Sequence, residues 1–530
     1  MSGELIVSTA LLLAAGIAGW LCSSAFERLE TEARRIARRK RLVVGLAAFL
    51  PVAIRLALLP VMPVPVPQAH DEFSYLLAAD TFAHGRLANP APPVPSFFES
   101  IHILVRPSYA SIYPPAQGLV LAIGKSTTGS GWAGVLLSAA LMTASVCWML
   151  QGWVSPAWAL AGTILLIVRL DIFSYWANSY WGGAVAACGG ALILGAAPRL
   201  IERRSRAASA LLGIGVAILA NSRPFEGAVF TALTACWMLC KCRRVPFLWP
   251  AISILLLTLL FIGYYSFRIT GNPFLPPYVF YRETAAIAPH FTFSRPPRAE
   301  PHWDYSVLRD FYMSEMHDYE IARARPVLAA LKNAQVYWRF YVGLLLTVPL
   351  LAALQDRRAR PLFGLLVFFF LIALAPQVWH SPHYAAPAAG LAFLIITLGM
   401  ARLRGWAART ILIASVIFML RIGSVHAARD PGSRWSGWAN GADGFNREPV
   451  LRQLASGRRH LVVVRYGPHH DPNQEWVYND ADIEQARVVW ARDKGPFENG
   501  ELLRHFQDRQ IWLLRPDDAP PSLIPLARGD

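Results

Sequence analysis

Two adjacent acids, Asp71 and Glu72, stand near the head of a polar stretch, residues 68–115, that separates two strongly apolar runs. A carboxylate held there can take the proton of a hydroxyl as that oxygen attacks the anomeric carbon of a sugar. Displacement with inversion needs one such base, whereas retention asks for a nucleophile as well; one dominant carboxylate pair suits inversion. The same acids also have a local reading. An Asp that opens a helix caps free N–H groups, and a Glu beside it sits well with the helix dipole.

A phosphate leaving group needs fixed positive charge, or a metal, to take up its developing charge. Arg106, Arg223, His380 and His383 lie in polar stretches that the charge pattern puts on the same side as Asp71. Arginine suits phosphate because its planar fork bonds two oxygens. Arg223 also reads as an interfacial anchor or as a partner for Glu226. His380 and His383 also read as interfacial residues or, with Asp71 or Glu72, as ligands of a divalent cation; no cofactor is required. Asp171, at the end of an apolar run, is costly unless paired or hydrated. It reads as a second active-site carboxylate or as a helix-end residue paired with Arg169. The Tyr- and Trp-rich run 175–181 reads mostly as a membrane belt.

These groups need a scaffold. Of the 530 residues 55% are hydrophobic and 16% charged, the balance of an α-helical polytopic membrane protein. Apolar runs between Leu5 and Val425 that approach the length of a bilayer crossing number between ten and thirteen. The net charge of +16 is concentrated: segments 26–41, 199–206, 241–244, 355–360 and 402–409 hold 20 Lys/Arg against five acids. Threaded in order, all five fall on one side, which marks them as cytoplasmic and argues against a nucleic-acid partner. The loops 68–115 and 270–333, and everything after about Arg429, are then extracytoplasmic.

In the first loop Pro60, Pro63, Pro65 and Pro67 end the incoming helix, and a helix is expected over Asp71–His84 with Gly85 as its stop. Phe73, Leu76, Leu77 and Phe82 lie broadly to one side of it, as in a helix lying in the interface plane against lipid or protein. The chain re-enters through residues 114–124. Loop 270–333 is long enough for one or two interfacial helices over the pocket. After Arg429, strands are expected at 460–466, 487–491 and 510–515, with helices at 480–485 and 499–507. Such alternation implies a small parallel sheet, and no Gly-rich phosphate loop follows any strand. The expected parts are an extra span and basic loop (1–41), a membrane-embedded catalytic part (42–428) and a small extracytoplasmic α/β domain (429–530). The six cysteines lie in spans or at cytoplasmic edges, so disulfides are not expected to staple the outer face.

An Asp-Glu pair opening a helix just after a span, in the first large outer loop, resembles the GT-C superfamily of polyprenyl-phosphate-sugar glycosyltransferases. The protein O-mannosyltransferase and aminoarabinose transferase branch is the nearest in look. The resemblance covers His70-Asp71-Glu72, Asp171 at the next outer turn and the run His383-Tyr384-Ala-Ala-Pro387, with a matching topology over about 40–425. It implies that Asp71 is the base and that a basic and tyrosyl cluster at His383 and Tyr384 holds the lipid phosphate. The implied partners are a polyprenyl-phosphate sugar donor, the bilayer, and a glycan, lipid or protein acceptor, at the outer face of a bacterial inner membrane. The rival class is a transporter or flippase of lipid-linked glycans. That function wants ionisable groups near the midplane and inverted repeats, whereas this chain keeps nearly all its charges at the edges and shows no halves.

Overall fold

The computed structural model describes residues 2–21, 23–203, 205–242, 248–297, 301–403, 405–427, 447–454 and 457–526. The expected domain start at Arg429 therefore lies outside the described residues.

Four helices are long and apolar enough to cross a membrane: Gly131–Trp153, Ala184–Glu202, Trp249–Thr270 and Pro382–Met400. The count reaches six if each of two sharply bent helix pairs is one span. The other expected spans appear as shorter helices, among them Lys40–Ala57, Arg206–Ala220, Pro224–Lys241 and Ala359–Phe369.

Breaks in the apolar runs have local causes. The run expected to span 337–354 bends by 94° between Pro326–Tyr341 and Gly343–Gln355. Gly343 adopts φ 63°, a left-handed conformation that glycine takes without steric cost. Buried Arg169 satisfies the carbonyls freed by the bend, donating to Phe340 O at 2.8 Å and to Arg339 O. Buried Arg55 does the same where Lys40–Ala57 ends. It donates to Met62 O at 2.7 Å, Pro63 O at 2.9 Å and Asn178 Oδ1 at 2.9 Å. That triple bond set ties the proline run leading to Asp71 to the loop after Asp171.

The expected helix at Asp71–His84 forms as His70–Ala83, and Gly85 follows with φ 69°. It does not lie amphipathically in an interface. Phe73, Ser74, Tyr75, Leu77, Ala78, Ala79, Asp80 and Thr81 are all buried, so protein encloses it on nearly every side. A small antiparallel sheet, unforeseen in the sequence, folds the rest of the loop: Asn89–Pro90 and Ile103–Leu104 flank Ser108–Ser111.

The C-terminal unit is a four-stranded sheet in the order Val488–Arg492, His460–Val464, Gln510–Arg515, Ser522–Pro525. Its first three strands are parallel, as expected; the fourth is antiparallel and was not foreseen. Pro496–His505 supplies the second expected helix, but 480–485 is a turn. This unit shares one apolar core with the first loop: Phe73, Leu77, Phe97, Phe98 and Tyr109 pack with Val462, Trp476, Tyr478 and Trp490.

Candidate active site

Glu72 organises the head of the His70–Ala83 helix. Its Oε2 accepts from Gln68 N at 2.8 Å and Ala69 N at 2.9 Å, and its Oε1 accepts from Tyr180 N at 3.0 Å. The carboxylate is fully buried. It makes the glutamate half of a capping box, on the Ala69 N–H, and bolts the helix to the loop after Asp171. A group so engaged positions its neighbours.

Asp71 faces another way. Its side chain keeps 24% of its surface open, while Tyr113 OH donates to its Oδ1 and His102 Nδ1 stands 3.9 Å away. Tyr113 is itself fixed, stacked on Tyr75 at 4.5 Å between centroids. Because the ionised carboxylate can only accept, the tyrosine proton points to it. His102 Nδ1, 3.2 Å from Tyr113 OH, then donates to the tyrosine oxygen. Burial and then Arg282 hold the His102 ring down to about 3, so it is neutral near pH 7. His102 sits at φ 62°, a backbone conformation rare outside glycine, held by Tyr281 OH on its N–H at 2.7 Å and by Ser74 Oγ on its carbonyl at 2.6 Å. Burial raises the Asp71 carboxyl above its usual range, opposed by the Tyr113 bond, His70 and Arg223. The result is a carboxylate more basic than an exposed one.

Positive charge comes from the opposite wall. Arg223 precedes the Pro224–Lys241 helix and lies over the Tyr384 ring, 4.4 Å from its centroid. Glu226, its expected partner, is buried and bonded to Gln377 Nε2 at 3.0 Å. No ion pair to Arg223 is formed among the described residues. Burial works against the Arg223 charge, and Tyr75 and Glu226 lead the groups that favour it. Tyr384 belongs to the Pro382–Ala388 turn, which packs tightly because residue 190 is glycine: a Cβ there would stand 1.9 Å from Pro387 O. In the same turn buried His383 donates its backbone N–H to Tyr175 OH at 3.0 Å, and its Nδ1 lies 2.8 Å from that hydroxyl. The hydroxyl proton then goes to Nδ1, which leaves the ring proton on Nε2 as a neutral donor.

Asp71, Arg223, His383 and Tyr384 are thus linked through the tyrosines between them. The remaining expected residues are not drawn in. Arg106 is exposed, and the carboxylate that feels its charge is Glu99. His380 is half-buried, its pKa lowered by burial, with Asp318 and Lys332 as its charged neighbours. Asp171 is buried in the π-helical turn Ile167–Asp171 and accepts from Thr143 Oγ1, not from Arg169. Glu72 and His383 are already engaged. Among the described residues, no group of three or more His, Cys, Asp or Glu side chains gathers as metal ligands would.

The sequence reading missed Tyr113 and His102 as partners of Asp71. It also missed the Arg282–Glu315 pair, 2.8 Å apart, beneath Trp379. The closeness of Tyr113 and His102 to the acids within one loop was the available signal; nothing local marked Arg282.

No protein-family model matches the sequence, and no curated protein matches it. Solved structures do. ArnT from Cupriavidus metallidurans bound to undecaprenyl phosphate is similar with a TM-score of 0.51 and 13% identity, over 89% of this chain and 93% of that one. The Archaeoglobus fulgidus oligosaccharyltransferase in complex with Zn and sulfate aligns over 89% of this chain and 67% of that one, with 12% identity and a TM-score of 0.45. The likeness to the first concerns the fold, and it spans nearly both chains. The chain is a helical multi-pass membrane protein whose fold is similar to that of this ArnT.

Proposed function

We propose that this protein is an inverting glycosyltransferase that moves a sugar from a polyprenyl-phosphate donor to a hydroxyl acceptor. The reaction runs at the extracytoplasmic face of a bacterial inner membrane. The acceptor oxygen attacks the anomeric carbon as its proton passes to Asp71. The bond from that carbon to the phosphate oxygen breaks, and its electron pair leaves with the phosphate. Arg223 takes up the growing charge, with His383 Nε2–H and Tyr384 as further contacts. Glu72 holds the helix that aims Asp71. Arg106, His380 and Asp171 have no step in this scheme. A lipid donor accounts for a hydrophilic reaction set among apolar helices, since its tail needs a hydrophobic groove.

One observation carries this reading: a carboxylate with raised basicity, aimed by Tyr113, lies within the field of an arginine that has no carboxylate ion pair among the described residues. The test is transfer from a short-chain polyprenyl-phosphate sugar by purified protein, wild type against Asp71→Asn, with folding checked by thermal melt. Loss of about 10²–10⁴-fold in a folded variant that still binds donor is expected. Full activity in the variant removes Asp71 from the chemistry. Absence of donor binding and turnover in wild type across several sugars turns the reading to a transporter of lipid-linked glycans.

A further inference from the structure

The scheme above uses none of the charge at the other end of the bundle. There the first turn of Lys40–Ala57 meets the last turns of Gly131–Trp153 and Ala184–Arg203 around a cavity of about 370 Å³. Its lining includes Lys40, Arg41, Trp148, Gln151, Arg199 and Glu202. The chain leaves the far end of Lys40–Ala57 towards Asp71, and an 18-residue helix is about 27 Å long, so the cavity and Asp71 lie at opposite ends.

The site is built, not merely charged. Arg199 lies over the Trp148 ring, 4.0 Å from its centroid. Two hydrogen bonds seat it there, to Gly195 O at 2.6 Å and to Trp148 O at 2.8 Å. Gly152 leaves room for this seat, since a Cβ there would stand 2.5 Å from an Arg199 guanidinium nitrogen and displace it. Gln151 Nε2 donates to Lys40 O at 3.0 Å and pins the start of the neighbouring helix. The N-cap residue Arg39 makes no side-chain cap bond, so the positive pole of that helix opens at the same place. Lys40, Arg41 and Arg199 face one acid, Glu202, among the described lining residues.

We propose that this cavity binds the phosphate of an anionic membrane lipid on the face opposite Asp71. Basic pockets between spanning helices suit such headgroups, and the volume falls in the range of roughly 300–1,000 Å³ common to small-molecule sites. Val44, one turn further into the bundle, and Pro198 continue the lining with apolar surface. A lipid uses that surface; an inorganic anion does not. The inference is independent of the reaction proposed for Asp71.

The experiment follows the melting temperature of the purified full chain in neutral detergent as phosphatidylglycerol, phosphatidylcholine or inorganic phosphate is added. A ligand that binds the folded state raises it in proportion to occupancy. Phosphatidylglycerol is expected to give a saturable rise and phosphatidylcholine none. Lys40→Gln/Arg41→Gln removes two exposed charges without touching the core, and should weaken the apparent affinity by about 20–30-fold, at roughly fivefold per basic residue. Gly152→Leu keeps every charge but fills the seat of Arg199, and should weaken it as well. Arg357→Gln/Arg358→Gln removes equal charge from exposed positions outside the cavity, and should leave affinity within about twofold, since only contacts in the cavity count. Equal losses in the two double variants, or unchanged affinity in Lys40→Gln/Arg41→Gln, overturn the site. An equal rise with inorganic phosphate alone overturns the lipid assignment in favour of a free anion.

Discussion

Tyr113 reaches back 42 residues along the chain to donate its hydroxyl proton to Asp71, and the same oxygen lies 3.2 Å from His102 Nδ1. The bond favours the ionised carboxylate, in opposition to the burial that disfavours it. It also fixes the direction in which the remaining Asp71 oxygen can accept a proton.

Tyr113→Phe removes that bond and leaves the burial. The Asp71 carboxyl then rises further, so the acid limb of the pH–rate profile moves to higher pH. Transfer at neutral pH falls and recovers as the medium is made more alkaline, with little change in donor KM. A lower rate with an unmoved profile would make Tyr113 a packing residue only.

Glu72→Gln sets an amide NH2 against backbone donors that a carboxylate now accepts. The loss should be about 1–3 kcal/mol, read as a lower melting temperature in detergent. Wild-type melting together with lost transfer would give Glu72 a chemical role in place of a structural one.

Arg223→Lys keeps the charge but loses the planar stack on Tyr384 and the bidentate fork. Donor KM should rise and kcat should fall, with kcat/KM down by about tenfold or more. An unchanged KM would place the donor phosphate elsewhere.

His70 offers a pH test of the joint between the loop and the C-terminal unit. Its Nδ1 lies 2.6 Å from Tyr478 OH. Burial, and then His102, lower its pKa to about 4 against the pull of Glu475 and Asp71. The folded chain keeps the ring neutral where the unfolded chain protonates it, so its contribution is complete above about pH 6.5 and is lost as pH falls towards 4. The difference in melting temperature between wild type and His70→Asn should therefore shrink over that window. A constant difference would show that the ring does not titrate this way.

The sequence revealed whatever was written in neighbouring residues. The His70–Ala83 helix is marked by its acidic start and its glycine stop, and the strand at 510–515 by an unbroken apolar run. Partnerships across distance left no such mark. The stretch 480–485 has the composition of a helix, yet it forms a turn, with Ala481 N held by Asp80 Oδ2 at 2.7 Å from across the chain. Arg223 looked like a partner for Glu226 three residues on, but Gln377, far along the chain, satisfies that acid. Asp171 and Arg169 likewise have separate partners, Thr143 and the bend at Gly343.

The apolar core shared by the first loop and the C-terminal sheet sets an order of events during synthesis. Tyr478 is translated 408 residues after His70, which is about 20–80 s at ordinary ribosome speeds. Until then Phe73, Phe97 and Phe98 lack the surface they pack against. The helix that carries Asp71 is among the first parts of the chain to be made and among the last to settle, so a ribosome that stalls before the final sheet releases a chain whose Asp71 carboxylate was never put in place.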